Sequence, residues 1–272
     1  MKMEARMSQD IADAVNVLGA FCGQRDVQQL THEHLEQAGY SKQADVLVLY
    51  GGSILCGVDV LAEAMRAGAA RRYVISGGAG HTTEALRSQV KRAFPGIDVA
   101  GKSEAELFDA CLHDRYGLHA DYLECASTNC GNNITYVIDL FERERIEASS
   151  VIICQDATMQ RRMGASMRLH APELEVVNFA TYRATVAPAE PLTAPLGLSF
   201  EHEPQGMWDM ERYVSLLMGE VPRLTDDAAG YGPHGAGYIA HVDIPEEVQM
   251  AFTLLKEQFP HLIREANPAF AS

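Results

Sequence analysis

The chain is short of cations: 22 Lys and Arg stand against 37 Asp and Glu, a formal net charge of −15. Long-range repulsion from phosphate backbones and anionic lipid excludes nucleic acid and membrane surfaces as expected partners. Long apolar runs are missing too. None approaches the roughly 20 residues that span a bilayer, and Ile11 to Cys22 is interrupted by Asp13 and Asn16. The first ten residues lack a basic start with an apolar run behind it, so a cytoplasmic protein is expected. Six scattered cysteines include no CxxC pair and read as reduced, small core residues. The histidines form neither HxxxH nor HExxH, so no dedicated metal site is expected.

What is present is an ordinary globular composition, 47% apolar and 22% charged over 272 residues, enough for one large domain with an appendage. Val46 to Tyr50 is a continuous apolar run, the pattern of a strand covered on both faces. Tyr73–Ile75, Tyr122–Leu123, Val151–Cys154 and Glu175–Phe179 read as further strands, and Ile97–Ala100 as one more. Helical stretches lie between them, one stopped by Gly68, one running to about Phe94, and one capped by Ser103 and stopped by Gly117. This alternation predicts a doubly wound, mainly parallel α/β sheet over residues 41–183. Ile11, Ala14, Val15 and Leu18 mark a helix that Ser8 would cap, and Thr31–Ala38 a second, short one. Four prolines between Ala187 and Pro204 predict an irregular connector. A helix over Met207–Met218, with Gly219 as its cap and Pro222 beyond, precedes a Gly-rich loop and a helix from Pro245 to Glu257. Residues 1–40 and 184–272 are expected to form a smaller, mostly helical part packed on the sheet.

In a parallel sheet every strand-to-helix turn emerges at the carboxyl edge, where small ligands bind. Four turns there are candidates. Gly51-Gly52-Ser53 and Ser76-Gly77-Gly78-Ala79-Gly80-His81 each join a strand to a helix, and their N–H groups could face an anion. Neither glycine turn carries GxGxxG or GxxxxGK[ST], which argues against a standard dinucleotide site and a P-loop ATPase. Ser127, Thr128, Asn129 and Asn133 offer more polar side chains than one helix cap needs. Gln155, Asp156, Met159, Arg161 and Arg162 follow the strand Val151–Cys154. Two arginines opening a helix oppose its dipole, so each should have an acidic side chain or an anionic ligand as partner. Asp156 and His81 are the candidate general bases. Glu104 and Glu124 lie at the same edge.

Taken in order, Ser76-Gly77-Gly78-x-Gly80-His81, Glu104, Glu124 ahead of Ser127-Thr128-Asn129-Cys130-Gly131, and Gln155-Asp156-x-Thr158-Met159-Gln160-Arg161-Arg162 resemble the YdcF-like family of bacterial proteins. So do Glu211-Arg212-Tyr213, Asp226-Asp227, Gly230-Tyr231-Gly232-Pro233 and His241-Val242-Asp243 in the tail. This is a branch of a larger family that includes the SanA and ElyC types. The resemblance implies a Rossmann-like domain with a smaller helical part and S-adenosyl-L-methionine bound in the cleft. Two positions depart from the broader family: its usual His is Met159 here, and a common Glu is Asn132. Both changes remove titratable groups, which weakens a hydrolytic role and leaves ligand binding untouched.

The leading expectation is a protein that binds S-adenosyl-L-methionine or a related adenosine compound, with methyl or other group transfer as its enzymatic version. A nucleotide or metabolite sensor without chemistry is the alternative. A hydrolase or transferase using Arg161 and Arg162 to grip a phosphate, and a purely structural partner, are the remaining classes.

Overall fold

The computed structural model describes residues 2–80, 82–189 and 194–263, with side chains from residue 6 onward. Helix α1 (Lys2–Cys22) is followed by α2 (His32–Gln37), β1 (Ala44–Tyr50), α3 (Cys56–Ala67), β2 (Ala70–Ser76), α4 (Thr83–Ala93) and α5 (Glu104–Tyr116). Then come β3 (Tyr122–Glu124), α6 (Cys130–Arg143), β4 (Ser150–Cys154), α7 (Gln160–His170) and β5 (Glu175–Asn178). A hairpin of β6 (Val186–Pro188) and β7 (Leu198–Phe200) precedes α8 (Met210–Leu224) and α9 (Glu246–Gln258).

Strands β1 to β5 form a five-stranded parallel sheet in the order β3-β2-β1-β4-β5, the Rossmann-like doubly wound arrangement. The apolar run of β1 serves both faces through the period of two. Leu47 and Leu49 enter the layer of α3, α4 and α5, while Val46, Val48 and Tyr50 enter that of α6 and α7. The chain winds outward from β1 to β3, then crosses back to lay β4 against the other side of β1. This reversal opens the crevice between β1 and β4 where ligands bind in such sheets.

A third core holds Val15 and Leu18 of α1, Tyr213 and Leu217 of α8, and Leu255 of α9. Asn16 fastens α1 to the hairpin, its amide giving a 2.8 Å bond to Val186 O and accepting one of 2.8 Å from Val186 N. Val27, Leu30 and Leu35 pack instead into the core between the sheet and α3 and α5.

Several local expectations give way to other forces. The first helix begins at Lys2 rather than at Ser8, because Glu4-Ala5-Arg6-Met7 are strong helix formers that carry it further back. Ile97–Ala100 is a turn, with Asp98 Oδ1 accepting from Ala100 N at 3.1 Å, a local bond that competes with strand pairing. The proline-rich connector contains the antiparallel β6–β7 pair, whose Pro188 lies at a strand end where no donor is needed. Helix α8 starts after the Asp209 cap and runs through Gly219 and Pro222 to Leu224. Burial of Tyr213, Val214, Leu217, Val221 and Leu224 outweighs both breakers, and Arg223 donates to the Gly219 carbonyl. Among the described residues no helix is long and apolar enough to cross a membrane.

Candidate functional site

The glycine turns are joints in the sheet edge. A Cβ on Gly77 would lie 3.2 Å from Gly51 Cα, and one on Gly51 would lie 2.8 Å from Glu104 Oε2. Glycine lets the two turns and Glu104 close together. Four of their N–H groups are engaged internally: Gly51 N with Ser76 O at 2.6 Å, and Gly77 N with Glu124 O at 2.9 Å. Gly78 N bonds Ser127 Oγ at 3.1 Å and Gly80 N bonds Thr83 Oγ1 at 2.7 Å. These donors are not free to cradle an anion in this conformation. Their carbonyls serve α5, whose Glu104 N and Ala105 N reach Gly78 O and Gly77 O at 2.9 and 2.8 Å.

Ser76, Glu124 and Asn133 meet beneath the start of α6. The Ser76 hydroxyl donates to Glu124 Oε2 at 2.8 Å, with Asn133 Oδ1 3.4 Å away. Glu124 Oε1 accepts from Ala126 N and Ser127 N at 2.6 and 3.0 Å, which folds the turn back on itself. Asn129 caps α6 by accepting from Asn132 N at 2.9 Å, and Thr128 donates to Asn132 Oδ1 at 3.2 Å. The Tyr50 and Ser53 hydroxyls are buried without a partner among the described residues. Burial raises the Tyr50 pKa above the ordinary phenol value, with Cys154 and Glu124 adding to it. The turns after β3 and β4 touch through Cys130 Sγ and Met159 Sδ, 3.9 Å apart.

Asp156 is a hub. Its Oδ1 accepts from Thr158 N and Thr158 Oγ1, both at 2.8 Å, and from Tyr182 Oη at 2.7 Å. Its Oδ2 accepts from Trp208 Nε1 at 2.8 Å. Burial and the Asp156 carboxylate hold the Tyr182 phenol well above its usual range, so it stays a donor. Four donors leave Asp156 poorly placed to take a substrate proton in this conformation. Gln155 Oε1 accepts from Asp156 N at 2.7 Å, and the Gln155 carbonyl accepts from Thr181 N at 2.9 Å.

The two arginines turn away from the crevice. Arg162 makes a two-pronged pair with Glu220 of α8, Nε to Oε2 at 2.6 Å and Nη2 to Oε1 at 3.1 Å, the carboxylate buried and the arginine nearly so. Burial works against its charge, yet the Glu220 carboxylate more than offsets this and raises its pKa. Arg161 donates from Nε to Phe21 O at 2.5 Å, and its guanidinium stacks 4.2 Å from the centre of that ring. The dipole mismatch is thus resolved within the protein, by an acid for one arginine and by an aromatic face and a carbonyl for the other. His81 lies outside the described residues.

Glu104 is the buried carboxylate that packs against Gly51 and Gly77. Burial raises its pKa above the ordinary 4.5, and the Thr82 and Thr83 hydroxyls, donating to Oε1 at 2.8 and 2.9 Å, pull it partly back. A raised folded pKa means that its contribution is full below about 4.5 and is lost as pH rises through the folded value. Glu104→Gln keeps the acceptor for both threonines and removes the charge. The variant should melt above the parent at pH 7, with the two curves converging as pH falls toward 4.5. Melts recorded between pH 4 and 8 check this, and a gain that ignores pH defeats the burial argument.

The crevice itself is nearly shut. A cavity of about 10 Å³, lined by Tyr50, Gly52, Gly57, Phe108, Gln155 and Asp156 among others, has room for about one water. A shallow groove of about 480 Å³ follows the outer face of α9 along Gln249, Met250, Thr253 and Leu254. It is much larger, but it belongs to one helix and lacks convergent polar groups, so size does not make it the site.

Sequence reasoning passed over several things. Tyr182 and Trp208 reach Asp156 from distant segments, and only their placement reveals it. Gly96-Ile97-Asp98-Val99-Ala100-Gly101-Lys102-Ser103 spells GxxxxGKS, yet it follows a helix, not a strand. The helical N–H groups behind it are taken by Gly78 O, Gly77 O and Ser103 Oγ. Gly230-Tyr231-Gly232-Pro233-His234-Gly235 spells GxGxxG but lies in the loop after α8, with no strand before it. Neither motif has the strand–turn–helix context that its chemistry requires. Among the described residues no group of three or more His, Cys, Asp or Glu is arranged to hold a metal ion. No family model matches the chain.

Proposed function

We propose that the protein belongs with the YdcF-like proteins and binds S-adenosyl-L-methionine, or a related adenosine compound, at the β1–β4 crevice. The observation that carries this reading is the charge of the edge. The start of α5, the end of β3 and the turn after β4 bring Glu104, Glu124 and Asp156 to this edge as buried carboxylates, while Arg161 and Arg162 are engaged elsewhere. Buried carboxylates favour a ligand with a sulfonium or ammonium group and ribose hydroxyls, and they oppose a triphosphate or diphosphate. This weighs against the phosphate hydrolase or transferase. The four donors on Asp156 favour binding or sensing without chemistry over a mechanism that uses Asp156 as base. Methyl transfer to an acceptor that needs no deprotonation stays compatible, since positioning supplies most of that catalysis.

A thermal-shift panel of S-adenosylmethionine, S-adenosylhomocysteine, ATP and NAD tests the proposal. A ligand at about 100 times its dissociation constant adds roughly 2.7 kcal/mol, or several degrees at about 2–4 °C per kcal/mol. The expected result is a shift with one or both adenosyl compounds that exceeds any with ATP or NAD. A flat response to both adenosyl compounds, or a shift confined to the phosphates, overturns it.

A further inference from the structure

Residues 204–208 run from contacts with α4 and α5, past the first turn of α3, to Asp156 at the β1–β4 crevice. From α4, Gln89 Nε2 donates to Gly206 O at 3.2 Å. From α5, Arg115 Nη2 donates to Gln205 Oε1 at 3.2 Å. A Cβ on Gly206 would lie 3.4 Å from Leu55 N, so the segment rests on the first turn of α3. Its far end is tied to the turn after β4 by the indole of Trp208, whose Nε1–H donates to Asp156 Oδ2 at 2.8 Å. The segment has no regular structure, and Met207 and Trp208 are only partly buried.

The cavity lined by Asp156, about 10 Å³, is far smaller than the roughly 300–1,000 Å³ that a nucleoside-sized ligand occupies. A wall has to move to admit one. The strands and helices around the cavity are held by the three apolar cores, whereas Gln205 and Gly206 are held by side-chain hydrogen bonds and Met207 and Trp208 pack against a core while staying partly exposed. Segments with few buried apolar contacts open at the lowest cost. The carboxylate of Asp156 stays fixed by the three donors on Oδ1, so exchange takes place at Oδ2.

The geometry points to a latched lid: residues 204–208 close the crevice, and a ligand opens it by giving Asp156 Oδ2 a hydroxyl or ammonium donor in place of the Trp208 indole. The latch rests on the ligand reading above for its occupant, but not for its mechanics. Trp208→Phe keeps a ring and removes the N–H. It should raise the population of the open state and so tighten apparent affinity for S-adenosylmethionine in calorimetry, by about tenfold. Loss of a merely structural residue would weaken binding instead. Unchanged or weaker affinity, with the melting temperature kept, overturns the latch. Trp208 is also the single tryptophan of the chain, so its emission in the unaltered protein should shift to the red on saturation with the same compound. An unshifted emission also counts against the lid. If no adenosyl compound binds parent or variant, the ligand reading falls, and hydrogen exchange decides the mechanics. Faster exchange of residues 204–208 in Trp208→Phe, with α7 and α8 unchanged, upholds the lid, and equal exchange rejects it.

Discussion

Glu220→Ala should lower stability by about 3–5 kcal/mol, because it leaves the Arg162 guanidinium buried without its counter-charge. The pair is two-pronged and almost fully enclosed between α7 and α8. Arg162 lies in the first turn of α7, where the helix dipole opposes a cation, so nothing nearby replaces the lost carboxylate. Replacing both partners by apolar residues of similar volume, Arg162→Met with Glu220→Leu, should recover most of the loss. Buried ion pairs often contribute little net energy over a packed apolar pair. Chemical denaturation of the two single variants and the double variant checks this. A small loss in Glu220→Ala would mean that water reaches Arg162.

Gly78→Ala is expected to cost about 3 kcal/mol or more, through space rather than backbone conformation. A Cβ there would lie 2.1 Å from Ser127 O, 2.8 Å from Cys125 O and 2.9 Å from the carbonyl carbon of Ala126. All three are backbone atoms of the turn after β3, so no side chain can swing aside. The turn has to retreat, taking the Gly78–Ser127 bond and the Ser76–Glu124 contact with it. Gly96→Ala is the control, since nothing lies within 4 Å of its new carbon. It should stay within about 0.5 kcal/mol of the parent. It also alters the first glycine of the GxxxxGKS string, so unchanged behaviour there would mark that string as a plain turn. Equal losses in the two variants, measured by thermal or denaturant unfolding, would dismiss the steric argument.

The sheet was readable because its signals are local. The β1 run, the Ser103 cap with its Glu106 partner, and the stops at Gly68 and Gly117 each act within a few residues. Three of the four predicted turns meet at one edge, with Ser76, Glu124 and Asn133 in one cluster and Gly51, Gly77 and Glu104 in another, and the fourth touches them through Met159 and Cys130. The contacts that decide what the edge can bind are of another kind. Arg162 finds Glu220 58 positions downstream, and Asp156 finds Trp208 52 positions downstream. No period or motif links such pairs. Glycine in a strand-to-helix turn likewise reads the same whether its N–H faces a ligand or the neighbouring turn. The course of α8 through Gly219 and Pro222 was hidden for a related reason, because tertiary burial outweighed the residues that usually end a helix.

The packing of α1 against α8 and α9 has a consequence for biosynthesis. The stripe of Ile11, Val15 and Leu18 emerges from the ribosome more than 200 residues ahead of Leu255, which shares its core. At roughly 5–20 residues per second that interval lasts on the order of ten to fifty seconds. The sheet can form in the meantime, since its strands and covering helices lie between the two. Helix α1 is therefore made well before the helices that bury it, and in the interval its apolar stripe is the surface a chaperone would meet.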